Sequence, residues 1–366
     1  MTQSWFVSLR VAATVESAWH RVPGGVANAT HHSLRAVAEH PDIEVVGVHA
    51  WHRSDPAEGL TPAIPTSVIP LPRPMLYDSW HRSRWPALQR WTGPVDVVHA
   101  TNAAVPPPSG AELVATVHDL AFLKHPEHLT TRGARLATRG FQLACDEAIL
   151  MVVPSAATKA DCVAAGVDSA RIRVVPWGCE PTVVTDADRA RVRDRYKLPP
   201  RFILWVGTLE PRKNLAGLLD AHQAVPAVPL VVVGPDGWGD VGIPSSDRVR
   251  RLGVVADIDL APLYDLATVF TLPSHAEGFG MPVLEAMAQG AAVVTSSGTA
   301  TEEVIGDAGV TVVPGDVDAL ANALVSLLDD DGERTRLGAA ARERAGAFTW
   351  QRTGALLADV YREAAA

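Results

Sequence analysis

Cysteine is scarce in this chain of 366 residues: Cys145, Cys162 and Cys179 are the only three. An odd, widely spaced set without metal-site spacing argues against a disulfide framework and suggests reduced thiols in a cytosolic protein. Long apolar runs are missing too. Ala148–Val153 and Leu230–Val233 are too short to span a bilayer and read as buried strands. The N-terminus has no basic patch followed by an apolar stretch and a small-residue cleavage site, so no signal peptide is expected. There is no repeat of fixed period and no low-complexity tract. The expected location is cytoplasmic, with a peripheral contact at the inner membrane face as the one alternative.

An excess of positive charge is also lacking. The formal net charge is −9, and up to Pro176 the chain carries 15 Lys+Arg against 15 Asp+Glu. Beyond that point 17 basic residues face 26 acidic ones, so the whole excess sits in the second half. A nucleic-acid binder would show a basic face, and none is expected as a partner. A nucleotide ligand stays open, because a pyrophosphate needs only a few well-placed donors. Eleven of the 13 histidines lie in the first half, scattered rather than clustered, and no metal site is expected.

Three catalytic signatures are absent. No G-x-G-x-x-G follows the first strand with an acid about 20 residues on, as a dehydrogenase needs. Gly234–Gly239 has glycines, but in the wrong spacing and with a tryptophan in the turn. There is no Gly-Lys-Ser/Thr of a P-loop NTPase and no G-x-S-x-G elbow of a serine hydrolase.

What is present is a globular composition, 47% apolar and 20% charged, on a chain long enough for two domains. Short Val/Ile/Leu-rich runs alternate with amphipathic stretches, which is the pattern of βαβ units and an α/β fold with parallel sheets. The first half gives strands near Trp5–Val11, Glu44–Val48, Val95–His99, Leu113–Val117 and Ala148–Val152, closed by Arg171–Val175. Helices are read at Ala27–Glu39 and Leu136–Glu147. Pro62–Pro86, rich in Pro, Trp and Arg, reads as an irregular loop; packing is its first reading, with acceptor binding or membrane contact as alternatives. The second half gives strands near Phe202–Val206, Leu230–Val233, Val249–Leu252, Val269–Leu272, Ala292–Thr295 and Val310–Val313. A boundary fits Pro176–Pro181, dividing the chain into 1–176, 177–349 and a tail helix, 350–366, that crosses back to the first domain.

The strongest local signal is Ser274-His-Ala-Glu-Gly-Phe-Gly-Met-Pro-Val-Leu-Glu285. A buried strand ends just before it. Gly278 and Gly280 let the backbone turn tightly, and Pro282 suits the first turn of a helix that stops near Gly290. A glycine-rich turn opening a helix at the carboxyl end of a parallel strand binds anions through amides and the helix dipole. Glu277 precedes that helix and Glu285 lies about a turn inside it. Carboxylates there accept well from paired sugar or ribose hydroxyls. A second segment, Val206-Gly-Thr-Leu-Glu-Pro-Arg-Lys-Asn214, places Arg212 and Lys213 after a strand and before a helix. A basic pair there can neutralise a pyrophosphate and stabilise charge that grows on it. In the first half, His118 and Asp119 end a strand, and the histidine can donate to a sugar hydroxyl or tune a proton transfer. Gly24-Gly25 opens a helix and can form an amide cradle.

Glu277 and Glu285, separated by seven residues, resemble the E-x7-E motif of the retaining glycosyltransferases of family 4. The flanking Glu-Gly-Phe-Gly-Met-Pro-Val-Leu-Glu-Ala-Met-Ala, Gly290 and Glu302-Glu303-Val304 follow the same pattern. The resemblance covers nearly the whole chain and is weakest through Pro56–Trp91. It implies a GT-B fold, two facing Rossmann-like domains with the donor mainly on the second and the acceptor mainly on the first. Glu277 would contact the transferred sugar, Glu285 the donor ribose, and the amides of Gly278, Phe279, Gly280 and Met281 the sugar and phosphates. Arg212 and Lys213 would hold the phosphates, His118 would lie near the donor sugar, and Gly24 and Gly25 would serve pyrophosphate or acceptor. Val255, in the run Arg251–Val255, would border the nucleobase. Many members have arginine where this chain has Thr208, and the Thr form resembles a subgroup that includes mannosyltransferases. The implied partners are a nucleotide-diphosphate sugar and a glycan, lipid-linked or small-molecule acceptor, with no cofactor and no required metal. No carboxylate of the first half stands out as a nucleophile, so front-face attack assisted by the leaving phosphate is expected. A sugar-nucleotide epimerase or phosphorylase on this fold, and a non-catalytic sugar-nucleotide-binding subunit, are the competing readings.

Overall fold

The computed structural model describes residues 8–20, 24–126, 129–180, 182–225, 228–237, 242–243 and 246–366. The Trp5–Val7 part of the expected first strand, Pro181 of the expected boundary, and Trp238-Gly239 of the glycine loop lie outside them. The chain folds as two compact units, Met1–Gly178 with Thr349–Ala366, and Cys179–Phe348.

The first unit is a seven-stranded sheet built from β1 (Leu9–Thr14), β2 (Ile43–Trp51), β3 (Thr66–Pro72), β4 (Val97–Ala100), β5 (Glu112–Thr116), β6 (Leu150–Val153) and β7 (Ile172–Val174). Its order is β3-β2-β1-β4-β5-β6-β7, and every pairing is parallel. The central strands β4 and β6 are buried along their whole length, as expected of a parallel sheet covered on both faces.

Pro62–Pro86 is not an irregular loop. It holds β3 and an 11-residue helix, Arg73–Ser83. β3 is an edge strand, the one place where Pro70 and Pro72 cost no interior ladder bond, and only Ile69 of it is buried. Pro74 sits in the first turn of the helix, where a fixed φ helps and a missing N–H is harmless. Leu76 and Trp80, one turn apart, then pack into the core of the unit.

The last helix, Trp350–Ala364, belongs to this first unit. Thr349 caps it by accepting from the Arg352 N–H, and its buried stripe lies on the helix Gly24–Val37. The two approach so closely that a Cβ on Gly354 would stand 2.7 Å from the Ala36 backbone. Tyr361 reaches the sheet, where its hydroxyl meets Nδ1 of the buried His99 at 2.7 Å; the other ring nitrogen meets the Thr116 hydroxyl at 2.8 Å.

The second unit has six parallel strands, β8 (Ile203–Val206), β9 (Leu230–Val233), β10 (Val249–Gly253), β11 (Val269–Leu272), β12 (Val293–Ser296) and β13 (Val310–Val312), in the order β10-β9-β8-β11-β12-β13. In each sheet the chain steps outward in one direction, then returns to the middle and steps the other way. Two loops part at that reversal and leave a crevice, the usual ligand position in such sheets. In the second unit the crevice lies between the loops after β8 and β11; in the first, between those after β1 and β4.

Candidate active site

The loops after β8 and β11 carry the two motifs singled out in the sequence. Glu210 to Asn214 form a tight turn, with Pro211–Lys213 as a single 3-10 turn leading into the helix Leu215–Gln223. Asn214 takes a left-handed conformation, φ 52°, and its side chain does two jobs. Its Oδ1 caps the helix by accepting from the Gly217 N–H, and its Nδ2 donates to the Pro273 carbonyl at the end of β11. The His275 N–H donates in turn to the Arg212 carbonyl at 2.8 Å. The two loops are thereby stitched together before any side-chain charge is counted.

Arg212, Lys213 and Glu277 form the centre. The Lys213 ammonium donates to Glu277 Oε1 at 2.6 Å, and an Arg212 N–H donates to Glu277 Oε2 at 3.0 Å. The same guanidinium donates to Glu210 at 2.5 Å and to the Ala276 carbonyl at 2.7 Å. Ser274 adds a third donor to the Glu277 carboxylate, on Oε1 at 2.8 Å. The Glu277 side chain is 6% exposed and that of Lys213 10%. Burial alone would raise the Glu277 carboxyl; the charges of Lys213 and Arg212, with the hydrogen bonds from Lys213 and Ser274, outweigh it and hold the group at about 2. Arg212 and Lys213 are thus a compensated, fixed pair rather than a solvated one. Among the described residues, the Lys213 ammonium donates to Glu277 with one of its three N–H groups.

Gly280 has φ 99°, and a Cβ on it would stand 2.5 Å from Thr301 Cγ2, so only glycine fits there. It opens the helix Met281–Ala288, with Pro282 in the first turn as expected. The Gly280 carbonyl accepts from the N–H groups of Val283 and Leu284. Among the described residues, the amides of Phe279, Gly280 and Met281 donate to no other group of the chain. Phe279 itself is buried edge-to-face on Phe348, so its side chain anchors the turn.

Glu285, expected at the donor ribose, is bonded to a tyrosine that the sequence did not mark. Tyr264, buried in the helix Asp257–Leu266, donates its phenol to Glu285 Oε2 at 2.8 Å. Burial raises the Glu285 carboxyl to about 7, with nearby Asp257 adding to the rise and the Tyr264 bond opposing it. The Tyr264 ring is held edge-to-face against Phe270 of β11. Val255 is half-buried in the turn between β10 and that helix.

Of the two roles expected of His118, donor to a sugar hydroxyl or tuner of a proton transfer, its geometry bears on the first. Its Nε2 lies 2.8 Å from the Thr101 carbonyl, which can only accept, so the ring proton sits on Nε2. Burial lowers its tendency to protonate, opposed by that bond and by Asp119. Neutral His118 therefore offers Nδ1 as an acceptor of a hydroxyl proton instead of donating one. Its ring lies 5.7 Å from that of Trp177. Asp119 is turned back on the loop, accepting from the Ala121 N–H. Gly24 and Gly25 are exposed, and the helix starts at Gly24 itself, earlier than Ala27, with φ 58° at its first residue. The structure brings Arg212, Lys213 and Glu277 into contact, places Glu285 and the 278–281 turn on the same helix start, and sets His118, Gly24 and Gly25 in the first unit.

Glu210, Ser274 and Tyr264 were given no role from the sequence. The first two lie inside the quoted motifs, where their position was the available signal. Tyr264 stands 21 residues from its partner, at no diagnostic spacing. Among the described residues, no three His, Cys, Asp or Glu side chains are grouped to hold a metal ion, and no helix is long and apolar enough to cross a membrane.

Residues 200–330 match the family model described as "Glycosyl transferases group 1", and residues 23–183 the one described as "Glycosyltransferase Family 4". The chain is 32% identical over 265 residues to O-antigen chain mannosyltransferase B of Escherichia coli, covering 68% of this chain and 70% of that protein. It is 31% identical over 313 residues to D-inositol 3-phosphate glycosyltransferase of Mycobacterium bovis, covering 80% of this chain and 62% of that protein. Among solved structures, HepE of Anabaena in complex with UDP-glucose superposes with a TM-score of 0.75 at 20% identity, over 97% of this chain and all of that one. That likeness establishes the GT-B fold.

Proposed function

The chain belongs to glycosyltransferase family 4 and is a transferase, and on that premise we propose that it is a retaining hexosyltransferase, with mannose as the favoured sugar, using a nucleotide-diphosphate donor and a glycan, lipid-linked or small-molecule acceptor. The observation that carries the proposal is the Lys213–Glu277–Arg212 cluster at the crevice of the second sheet. Two cations fixed at the mouth of a helix stabilise the charge that grows on a pyrophosphate as the sugar leaves, without reorganising at that moment. The amides of Phe279, Gly280 and Met281 and the positive end of their helix meet the phosphates. Glu277 accepts from the transferred sugar, and Glu285 takes a ribose hydroxyl on the oxygen that Tyr264 leaves open. His118 Nδ1 accepts from a hydroxyl, and Val255 borders the base. Gly24 and Gly25 serve the acceptor or pyrophosphate.

In this reading the acceptor attacks from the face the phosphate leaves, and that phosphate takes the proton, so configuration is retained and no metal is required. Support for the sugar comes from the mannosyltransferase named above, and support for a nucleotide-diphosphate donor from the UDP-glucose held by HepE. A peripheral membrane contact completes the reading, since Met75 and Trp85, 59% and 53% exposed, flank Arg82 in the first unit.

The test is a thermal-shift panel of GDP-, UDP-, ADP- and dTDP-sugars, followed by NMR of the product anomer. A donor at 100 times its Kd adds about 2.7 kcal/mol to the unit that binds it. One base standing clear, with retained configuration, is expected. No response to any donor, or an inverted product, overturns the proposal.

A further inference from the structure

The crevice of the first unit has its own set of polar groups. The segments leaving the carboxyl ends of β3, β2, β1 and β4 carry, in sheet order, Arg73, His52, Glu16 and Asn102. Glu16 is 1% exposed. Its Oε2 accepts from the Ala50 N–H at 2.7 Å, and its Oε1 lies 2.7 Å from His52 Nε2. Trp19 stacks on His49 and His52, at 4.2 and 5.0 Å between ring centres, and its carbonyl accepts one Arg73 N–H at 3.1 Å. Tyr77 follows Arg73 by four residues on the same helix, so both point to one side.

Two of these groups keep a donor without an acceptor. The Tyr77 hydroxyl, on a side chain only 7% exposed, donates to no group among the described residues. The buried Nδ2 of Asn102 turns one of its two N–H groups towards that hydroxyl, and its orientation is fixed because its Oδ1 accepts from the Ala104 N–H at 2.8 Å. A buried donor without an acceptor is costly to leave so, and the phenol O–H and the second amide N–H are therefore groups a ligand can satisfy at a gain.

The charges around them share one sense. Burial raises the Glu16 carboxyl to about 7, although the Ala50 N–H and Arg73 oppose the rise. Burial likewise lowers His52 and His20 to about 4, so both are neutral at neutral pH. The Arg73 charge is felt by Glu16, His20, His52 and Tyr77, and its guanidinium is tethered beside them by the Trp19 carbonyl. Guanidinium, phenol and carboxamide N–H and O–H groups converge here. The Glu16 carboxyl beside them is only partly ionised.

Resting on the reading of the chain as a sugar transferase, we propose that this crevice is an acceptor subsite for an oxyanion, in which Arg73, Tyr77 and Asn102 donate to a phosphate or carboxylate carried by the acceptor. A planar guanidinium grips such a group through two parallel N–H bonds. A neutral glycan leaves the Arg73 charge unmatched and gains less.

Calorimetric titration of the full chain with mannose 6-phosphate against mannose, and with glucuronate against glucose, tests this. One anion should bind roughly tenfold or more tightly than its neutral parent, and the tighter of the two identifies the oxyanion. Arg73→Gln and Tyr77→Phe should each erase most of that preference; the second keeps the buried ring, removes one hydroxyl whose proton has no acceptor, and should leave the fold intact. Lys213→Ala should keep it. Equal binding of anion and parent overturns the subsite, as does a preference that survives both first-unit substitutions. A preference lost only in Lys213→Ala assigns the anion to the second unit and overturns it as well. A protein that binds nucleoside diphosphates yet ignores sugar anions refutes the subsite while leaving the transferase reading standing.

Discussion

Replacing Glu277 with glutamine keeps the shape of the side chain and removes its charge. Glu210 still neutralises Arg212, but Lys213 loses its one carboxylate partner, and the new amide N–H₂ turns donor against donor on one of the two cations. The cost follows from the carboxyl itself, held at about 2 against an ordinary 4.5. A difference of about 2.5 units at 1.36 kcal/mol each is about 3 kcal/mol. Breaking a buried pair by removing one partner typically costs 3–5 kcal/mol, so the two figures agree to order of magnitude. At roughly 2–4 °C per kcal/mol for a domain of this size, the second unit should melt about 6–12 °C lower.

The sign in pH follows from the same group. A carboxyl depressed in the folded state stabilises fully above its unfolded value, near 4.5, and that stability is lost as pH falls towards about 2. Wild type and variant should therefore converge in stability as the solution is acidified through that window. Ligand should partly rescue the variant, because a pyrophosphate supplies the negative charge that Glu277 no longer does. We expect nucleoside-diphosphate affinity at or above the wild-type value alongside a fall in turnover of about 100-fold or more, the scale of losing one transition-state contact. Calorimetric titration and steady-state turnover on the same preparation read both quantities. Unchanged melting, or affinity and turnover falling together, refutes the reasoning.

Three other outcomes are expected. Donor binding should tighten as pH rises from 6 to 8, because Glu285 must give up its proton near 7 to accept from ribose; a nucleotide-sugar titration would show it, and Glu285→Gln should be flat. Gly280→Ala should lose roughly 1–3 kcal/mol in chemical denaturation, since it must hold φ 99° with a Cβ against Thr301. Tyr361→Phe strips the buried His99 Nδ1 of its partner and should cost about 1–3 kcal/mol, measured on the first unit's transition.

How far the fold could be read from the sequence depended on burial. β6, β8 and β9 are apolar from end to end because both faces of a parallel sheet are covered, and such runs stand out in a sequence. β3 buries only Ile69 and contains two prolines, so neither apolar content nor propensity marks it. The helix after it begins with Arg73-Pro74, which reads as a break until its place behind an edge strand is known. In the site, the local devices were legible: a glycine turn, a basic pair after a strand, two acids about two helical turns apart. The partners arriving from elsewhere were not. Tyr264 reaches Glu285 from another helix, and Arg73, His52, Glu16 and Asn102 are scattered over 87 positions that only the strand order collects.

The last helix has a consequence for how the protein comes into being. The second unit is complete once Phe348 has been made, while the first still lacks the stripe that covers the helix Gly24–Val37 and the hydroxyl that satisfies His99. On the ribosome the part begun first is thus finished last. A nascent chain halted in the final helix would carry a finished second unit beside a first unit still open along one helix and unsatisfied at His99.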